Sequence, residues 1–129
     1  MPALIEYKDA SPEVRAVYDE IKTARKVPDV TNFWKSLARD PATLRRTWDS
    51  ISEVMGPGEL DNLTKEMIFL AVSTALGCGY CVASHSLSAK KAGMSEKMFG
   101  ELMAIVGMAS ETSRLVSGYR IPLDPIYAK

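Results

Sequence analysis

Apolar residues recur at helical spacing along the whole chain, and no run alternates as a half-buried strand should. That pattern predicts an all-α fold and leaves the helix ends to be read from proline, glycine and capping residues. Ser11-Pro12 reads as an N-cap followed by proline at the first helical position. Val14, Val17, Tyr18 and Ile21 then fall at the i, i+3, i+4, i+7 spacing of one buried face. This helix must end before Pro28, because the residue ahead of a proline avoids the α region. A short helical piece is expected over residues 32–38. Asp40-Pro41 repeats the cap-plus-proline start, and Leu44, Trp48, Ile51 and Met55 form the next stripe. After the break at Gly56-Pro57-Gly58, a fourth helix should begin near Asp61 or Asn62 and run to Leu76, stopped by Gly77. A fifth is predicted over about 79–92, stopped by Gly93. Ser95 caps a long sixth helix that carries Leu102, Ile105, Val106, Ala109 and Val116 and ends near Gly118. The tail from Ile121 to Tyr127 is apolar and holds two prolines, so it should be extended and suited to lie on a neighbouring surface, such as another subunit.

The length of 129 residues fits one domain, 1–129, with a core large enough to need no staples. A content of 47% hydrophobic residues is too high for disorder. Sixteen basic residues balance sixteen acidic ones, which argues against an electrostatic grip on nucleic acid or on an anionic membrane. Arg45-Arg46 and Lys90-Lys91 are isolated pairs on solvated helix faces. The start, Met1-Pro2-Ala3-Leu4, leads quickly to Glu6 and Lys8 without the apolar segment of a secretory signal. Residues 67–89 carry no formal charge apart from His85, but Gly77-Cys78-Gly79 interrupts them short of the ~20 apolar residues of a spanning helix. Two buried helices meeting at a glycine break account for that stretch. A soluble, cytoplasmic protein is expected, with the methionines, Trp34 and Trp48 serving the core or subunit interfaces.

The chemistry concentrates in one place. The chain has two cysteines and one histidine, and all three fall within Cys78-Gly79-Tyr80-Cys81-Val82-Ala83-Ser84-His85. Helical residues three and four apart share a face, so spacings of three and four bring Cys78, Cys81 and His85 together. Gly77 and Gly79 place Cys78 at or just before a helix start, where unpaired N–H groups and the helix dipole favour an anion. Thiol pKa values fall to roughly 3.5–7.5 in such settings, and His85 can take or return the proton. Helical i, i+3 neighbours have Cβ atoms ~5–6 Å apart, whereas a disulfide needs ~3.5–4.5 Å. A bridge therefore requires the first turn to tighten, which Gly79 allows. Upstream, Glu66 opens the most apolar segment of the chain, and Leu70, Ser73 and Gly77 share its face. A carboxylate entering a core needs a partner, and the Cys–His cluster can supply one, giving a Glu–His–thiol relay.

Competing readings are a metal site, a static bridge and inert packing. Zinc prefers four ligands, and Cys78, Cys81, His85 and Glu66 could supply them, although this spacing is not that of the usual zinc knuckle. Ser84, Ser86 and Ser88 match no hydrolase nucleophile turn.

Glu66, the Cys78-x-Tyr80-Cys81-x-x-x-His85 motif and Ala89 together resemble the carboxymuconolactone decarboxylase superfamily, in its alkylhydroperoxidase D-like branch. The likeness extends from Val27-Pro28 through Gly93-Met94-Ser95 to Pro122-Leu123-Asp124. It implies an all-α bundle of about six helices that assembles into homotrimers or homohexamers. It also implies an antioxidant peroxidase without bound cofactor or metal. Cys81 would then be the peroxide-attacking thiolate and Cys78 the resolving thiol, with His85 and Glu66 in the proton relay. A lipoyl-bearing or thioredoxin-like dithiol would restore the pair. Tyr80 stands where alkylhydroperoxidase D proper has a second histidine, so it either donates a hydrogen bond to the site or packs beside the turn. The cysteine pair sets the chain apart from true decarboxylases of the superfamily. The alternatives are a redox-sensing or partner-binding module that does not turn over, and a protein disulfide oxidoreductase.

Overall fold

Six α-helices follow one another, with no strand among the described residues: α1 Pro12–Arg25, α2 Asn32–Leu37, α3 Pro41–Met55, α4 Asn62–Leu76, α5 Gly79–Lys91 and α6 Glu96–Tyr119. The computed structural model describes residues 3–128, so Met1, Pro2 and Lys129 lie outside the described residues. Short 3-10 turns at Tyr7–Asp9 and Pro125–Tyr127 precede and follow the helices. The second of these turns adds a short curl to a tail that the sequence predicts as extended. No helix among the described residues is long and apolar enough to cross a membrane. The chain divides into two compact units, Met1–Gly56 and Pro57–Lys129.

In the first unit, the Ser11 hydroxyl accepts the Val14 N–H at 3.3 Å, and α1 buries Val14, Val17, Tyr18 and Ile21, as their spacing predicts. These pack with Trp34, Leu44 and Trp48 into one core, in which the two tryptophans meet edge to face at 5.6 Å. The segment ahead of α1 is tied down by polar contacts. Ile5 donates to the Lys35 carbonyl, and the Tyr18 hydroxyl donates to the Ile5 carbonyl. The Lys35 side chain is only 9% exposed, and its ammonium lies 2.7 Å from both Asp29 and Glu6. A cation this far from water must be paired. Hydrogen bonds to Asp29 and Glu6 raise its pKa to about 12.

In the second unit, the Asp61 carboxylate accepts the Thr64 N–H at 2.7 Å and starts α4. Leu70, Ala89 and Met94 form the buried centre, with Leu63, Met67, Val82 and Phe99 packed around it. This core is small. On α4, Ile68, Val72 and Leu76 are half or more exposed, and α6 buries no residue completely. The two buried helices predicted over 67–89 are therefore each buried on one face only. On α6, Leu102 and Val106 are half-buried, while Ile105, Ala109 and Val116 of the predicted stripe face outward.

Four helices end in the same way. After α4, the Gly77 N–H bonds to the Thr74 carbonyl and the Cys78 N–H to the Ser73 carbonyl, with Gly77 left-handed at φ 75°. This is the Schellman arrangement, in which two late carbonyls find donors just beyond the helix. Gly93 closes α5 by the same bonds. Lys26 and Arg120 take the left-handed position after α1 and α6, at φ 55° and 51°. A side chain there costs roughly 1–2 kcal/mol. Each of the two is followed by a β-branched residue and a proline, Val27-Pro28 and Ile121-Pro122, which forbid further helix. The last helix accordingly ends at Tyr119, near Gly118 as predicted.

Candidate active site

Every residue of the site lies in the second unit, on α4, α5 and the turn between them. The glycine stop at Gly77 reverses the chain and delivers Cys78 in an extended conformation, φ −87° and ψ 90°, as the N-cap of α5. The Cys78 sulfur accepts the Cys81 N–H at 3.2 Å, the role a serine or aspartate oxygen plays at other helix starts. The same sulfur is bonded to Cys81 in a disulfide, with the Cα atoms 5.3 Å apart, inside the usual range of ~4.4–6.8 Å. The sequence places all three reactive residues on one helical face. Cys78 stands just before the helix start, as its flanking glycines predict, and that position lets a pair three residues apart bridge. Both cysteines are half-buried, and Tyr80 is half-exposed on the first turn of α5.

Because α4 and α5 form a hairpin, residues 19 apart in sequence come face to face. The His85 ring nitrogen Nδ1 lies 2.7 Å from Oε2 of Glu66, and each side chain is only 13% exposed. An ionised Glu66 only accepts, so Nδ1 carries the proton of this bond. In the neutral ring, Nε2 is then the nitrogen left with a free lone pair. His85 follows Cys81 by four residues, one turn along the same face of α5. The donors a metal would need are engaged with one another: the sulfurs in their bridge, the carboxylate on the imidazole.

One neighbour escaped the sequence reading. The ring of Phe69 stacks on the His85 imidazole, with centroids 3.7 Å apart and planes 19° from parallel. Phe69 is one turn beyond Glu66 on α4, so the two reach the same imidazole, one at its edge and one across its face. The i+3 spacing from Glu66 was the available signal. Together they fix both the tautomer and the plane of the ring.

A family model described as the carboxymuconolactone decarboxylase family matches residues 41–123, a span that includes all of these side chains. The crystal structure of the alkylhydroperoxidase AhpD core from Rhodospirillum rubrum is 47% identical, over 92% of this chain and 88% of that one, with a TM-score of 0.87. No curated protein matches. Family match, helical fold and likeness over nearly the whole length agree: this chain belongs to the carboxymuconolactone decarboxylase family, and within it is AhpD-like.

Proposed function

We propose that this protein reduces organic hydroperoxides through Cys78 and Cys81, with His85 and Glu66 moving the protons. The observation that carries the reading is the Cys78–Cys81 bridge at the start of α5, one turn from a histidine held by a carboxylate. In the reduced protein, His85 takes the Cys81 proton and Glu66 steadies the resulting imidazolium. The thiolate attacks a peroxide oxygen, an S–O bond forms, and the O–O bond breaks. The departing alkoxide collects the proton from His85 and leaves as the alcohol. Cys78 then attacks the Cys81 sulfenic acid, forming the disulfide and releasing water. An external dithiol, lipoyl-bearing or thioredoxin-like, supplies two electrons and two protons by exchange through a mixed disulfide. Tyr80, on the first turn of α5, would border the peroxide path. The reading also takes the protein to be cytoplasmic, where a dithiol pool keeps such a pair cycling.

The test is intact mass after one equivalent of cumene hydroperoxide is added to the reduced protein at neutral pH. The expected result is a rapid loss of about two mass units, reversed by dihydrolipoamide and abolished in Cys81→Ser. No change, or slow overoxidation without a bridge, would refute it. A single oxidation that no dithiol reverses would favour a sensor.

A further inference from the structure

Two polar side chains are buried among the described residues, Lys35 and Ser73. The two carboxylates around Lys35 account for the first. Ser73 is 5% exposed and, with Leu70, is one of the two buried residues of α4. It takes no part in the relay described above.

The helix stops locate it. In the Schellman arrangement the residue after the left-handed stop bonds to the carbonyl five residues back, and the side chains of these two positions commonly make an apolar contact. At the end of α5 the pair is Met94 and Ala89, bonded at 2.9 Å, and both belong to the core of the second unit. At the end of α6 it is Ile121 and Val116. At the end of α4 the same bond, at 3.0 Å, joins Cys78 to Ser73. A hydroxyl and a sulfur stand where those two stops have carbon on carbon. Alanine would fill the position, as Ala89 does on α5, and would bury no polar group. The hairpin agrees with this placement. Glu66 meets His85, and seven residues from each toward the turn stand Ser73 and Cys78.

We propose that the Ser73 hydroxyl donates a hydrogen bond to the Cys78 thiolate when the bridge is open. The role it gives Cys78 rests on the redox reading of the pair. In the closing step the Cys78 thiolate attacks the sulfenic sulfur of Cys81 and the S–S bond forms. The hydroxide that leaves takes up the proton Cys78 had given up, so water departs. On reduction, an external thiolate attacks Cys81, the S–S bond breaks, and its electron pair leaves on Cys78. Cys78 bears negative charge in both steps, and a donor beside it favours the charged form. The other titratable groups at this place are Cys81 and His85 on α5 and Glu66 on α4, the last two committed to each other at 2.7 Å. The helix α6 presents apolar side chains to this core, Phe99 and Met103 among them.

Alkylation of the reduced protein by iodoacetamide, from about pH 6 to 10 and with Cys78 read separately by peptide mass, tests it. At pH 7 Ser73→Ala should alkylate Cys78 roughly threefold or more slowly than wild type, because fewer molecules carry the thiolate. The gap should close as pH passes the ordinary thiol pKa of ~8.5. Above it the order should reverse slightly, since a thiolate without the hydrogen bond is the stronger nucleophile. A change in packing or access would instead hold the ratio constant with pH. Ser73→Ala should melt no lower than wild type, because it places at the end of α4 the residue that α5 uses there. Equal rates at pH 7, or a ratio that does not change with pH, would overturn the proposal. With cumene hydroperoxide, Ser73→Ala should lose its first thiol at the wild-type rate while dimedone traps more sulfenic acid, because only the closing step is slowed. Equal trapping in the two proteins would also overturn it. A wild type that hydroperoxide leaves reduced would refute the peroxidase reading, and the alkylation profile would still decide the hydrogen bond.

Discussion

Replacing Glu66 by glutamine should slow the first chemical step about tenfold. The carboxylate lies 2.7 Å from Nδ1 of His85, and both side chains are 13% exposed, so water screens the pair little. A hydrogen bond to a charged group contributes ~1.5–3 kcal/mol net and a neutral one ~0.5–1.5 kcal/mol. Glutamine keeps the shape and one hydrogen bond. It removes only the difference between a charge-assisted and a neutral hydrogen bond, about 1–1.5 kcal/mol. A factor of ten in rate corresponds to ~1.4 kcal/mol. Glu66→Ala should cost more, roughly tenfold to a hundredfold, because it also strips Nδ1 of its acceptor in a nearly closed site. The assay is quenched flow at pH 7, with excess cumene hydroperoxide over reduced protein. Remaining thiols are alkylated at each time point and counted by mass. Unchanged helicity in both variants excludes a folding defect. An oxidation rate for Glu66→Gln within twofold of wild type would remove Glu66 from the relay.

Phe69 gives a sharper test of ring placement, because it carries no proton. Phe69→Leu should slow the same step by roughly twofold to tenfold, the size of an aromatic stacking contribution of ~0.5–1.5 kcal/mol, and Phe69→Tyr should recover most of it. Equal rates for wild type and leucine would leave Phe69 a packing residue. In the first unit, stability should depend on pH through Lys35 and Asp29. The hydrogen bond from Lys35 holds Asp29 below the usual carboxylate range, so its stabilisation is present above that range and fades as pH falls through the lowered value. The pKa of Lys35 is raised from 10.5 to about 12, so its share is complete below 10.5 and is lost as pH rises through 12. Guanidinium unfolding between pH 2 and 7 should show a steeper acid loss for wild type than for Lys35→Met. Parallel curves would show that the pair adds nothing.

Helix boundaries were legible because they are decided locally. Ser11 with Pro12, Asp61 and Ser95 satisfy first-turn N–H groups, and Gly77 and Gly93 take the left-handed stops, all within a few residues of chain. The Glu66–His85 pair was legible because Glu66 opens an apolar segment in which a carboxylate needs a partner, and the chain's single histidine follows Cys81 by one helical turn. What the sequence hid depends on which helix faces meet. Phe69 over His85 is a contact between helices, and hydrophobicity runs so far around α4 that no pattern says which side is covered. Outward residues such as Val72 and Ile105 have the same composition as buried ones and differ only in having no neighbour. Likewise, nothing in the local chemistry of Lys35 announces that its ammonium is enclosed by carboxylates from two other segments.

The position of the cysteine pair follows from the way α4 ends. In the body of a helix, Cβ atoms three residues apart stay ~5–6 Å from one another, too far for a bridge. A left-handed stop removes that constraint, because the residue after it is released from helical geometry. Gly77 performs this release, and Cys78, the next residue, becomes both N-cap of α5 and partner of Cys81. One atom then has two duties, as the Cys78 sulfur accepts the Cys81 N–H that the helix start leaves unpaired. The start of α5 therefore seats Cys78 beside Cys81 by the same geometry that caps the helix.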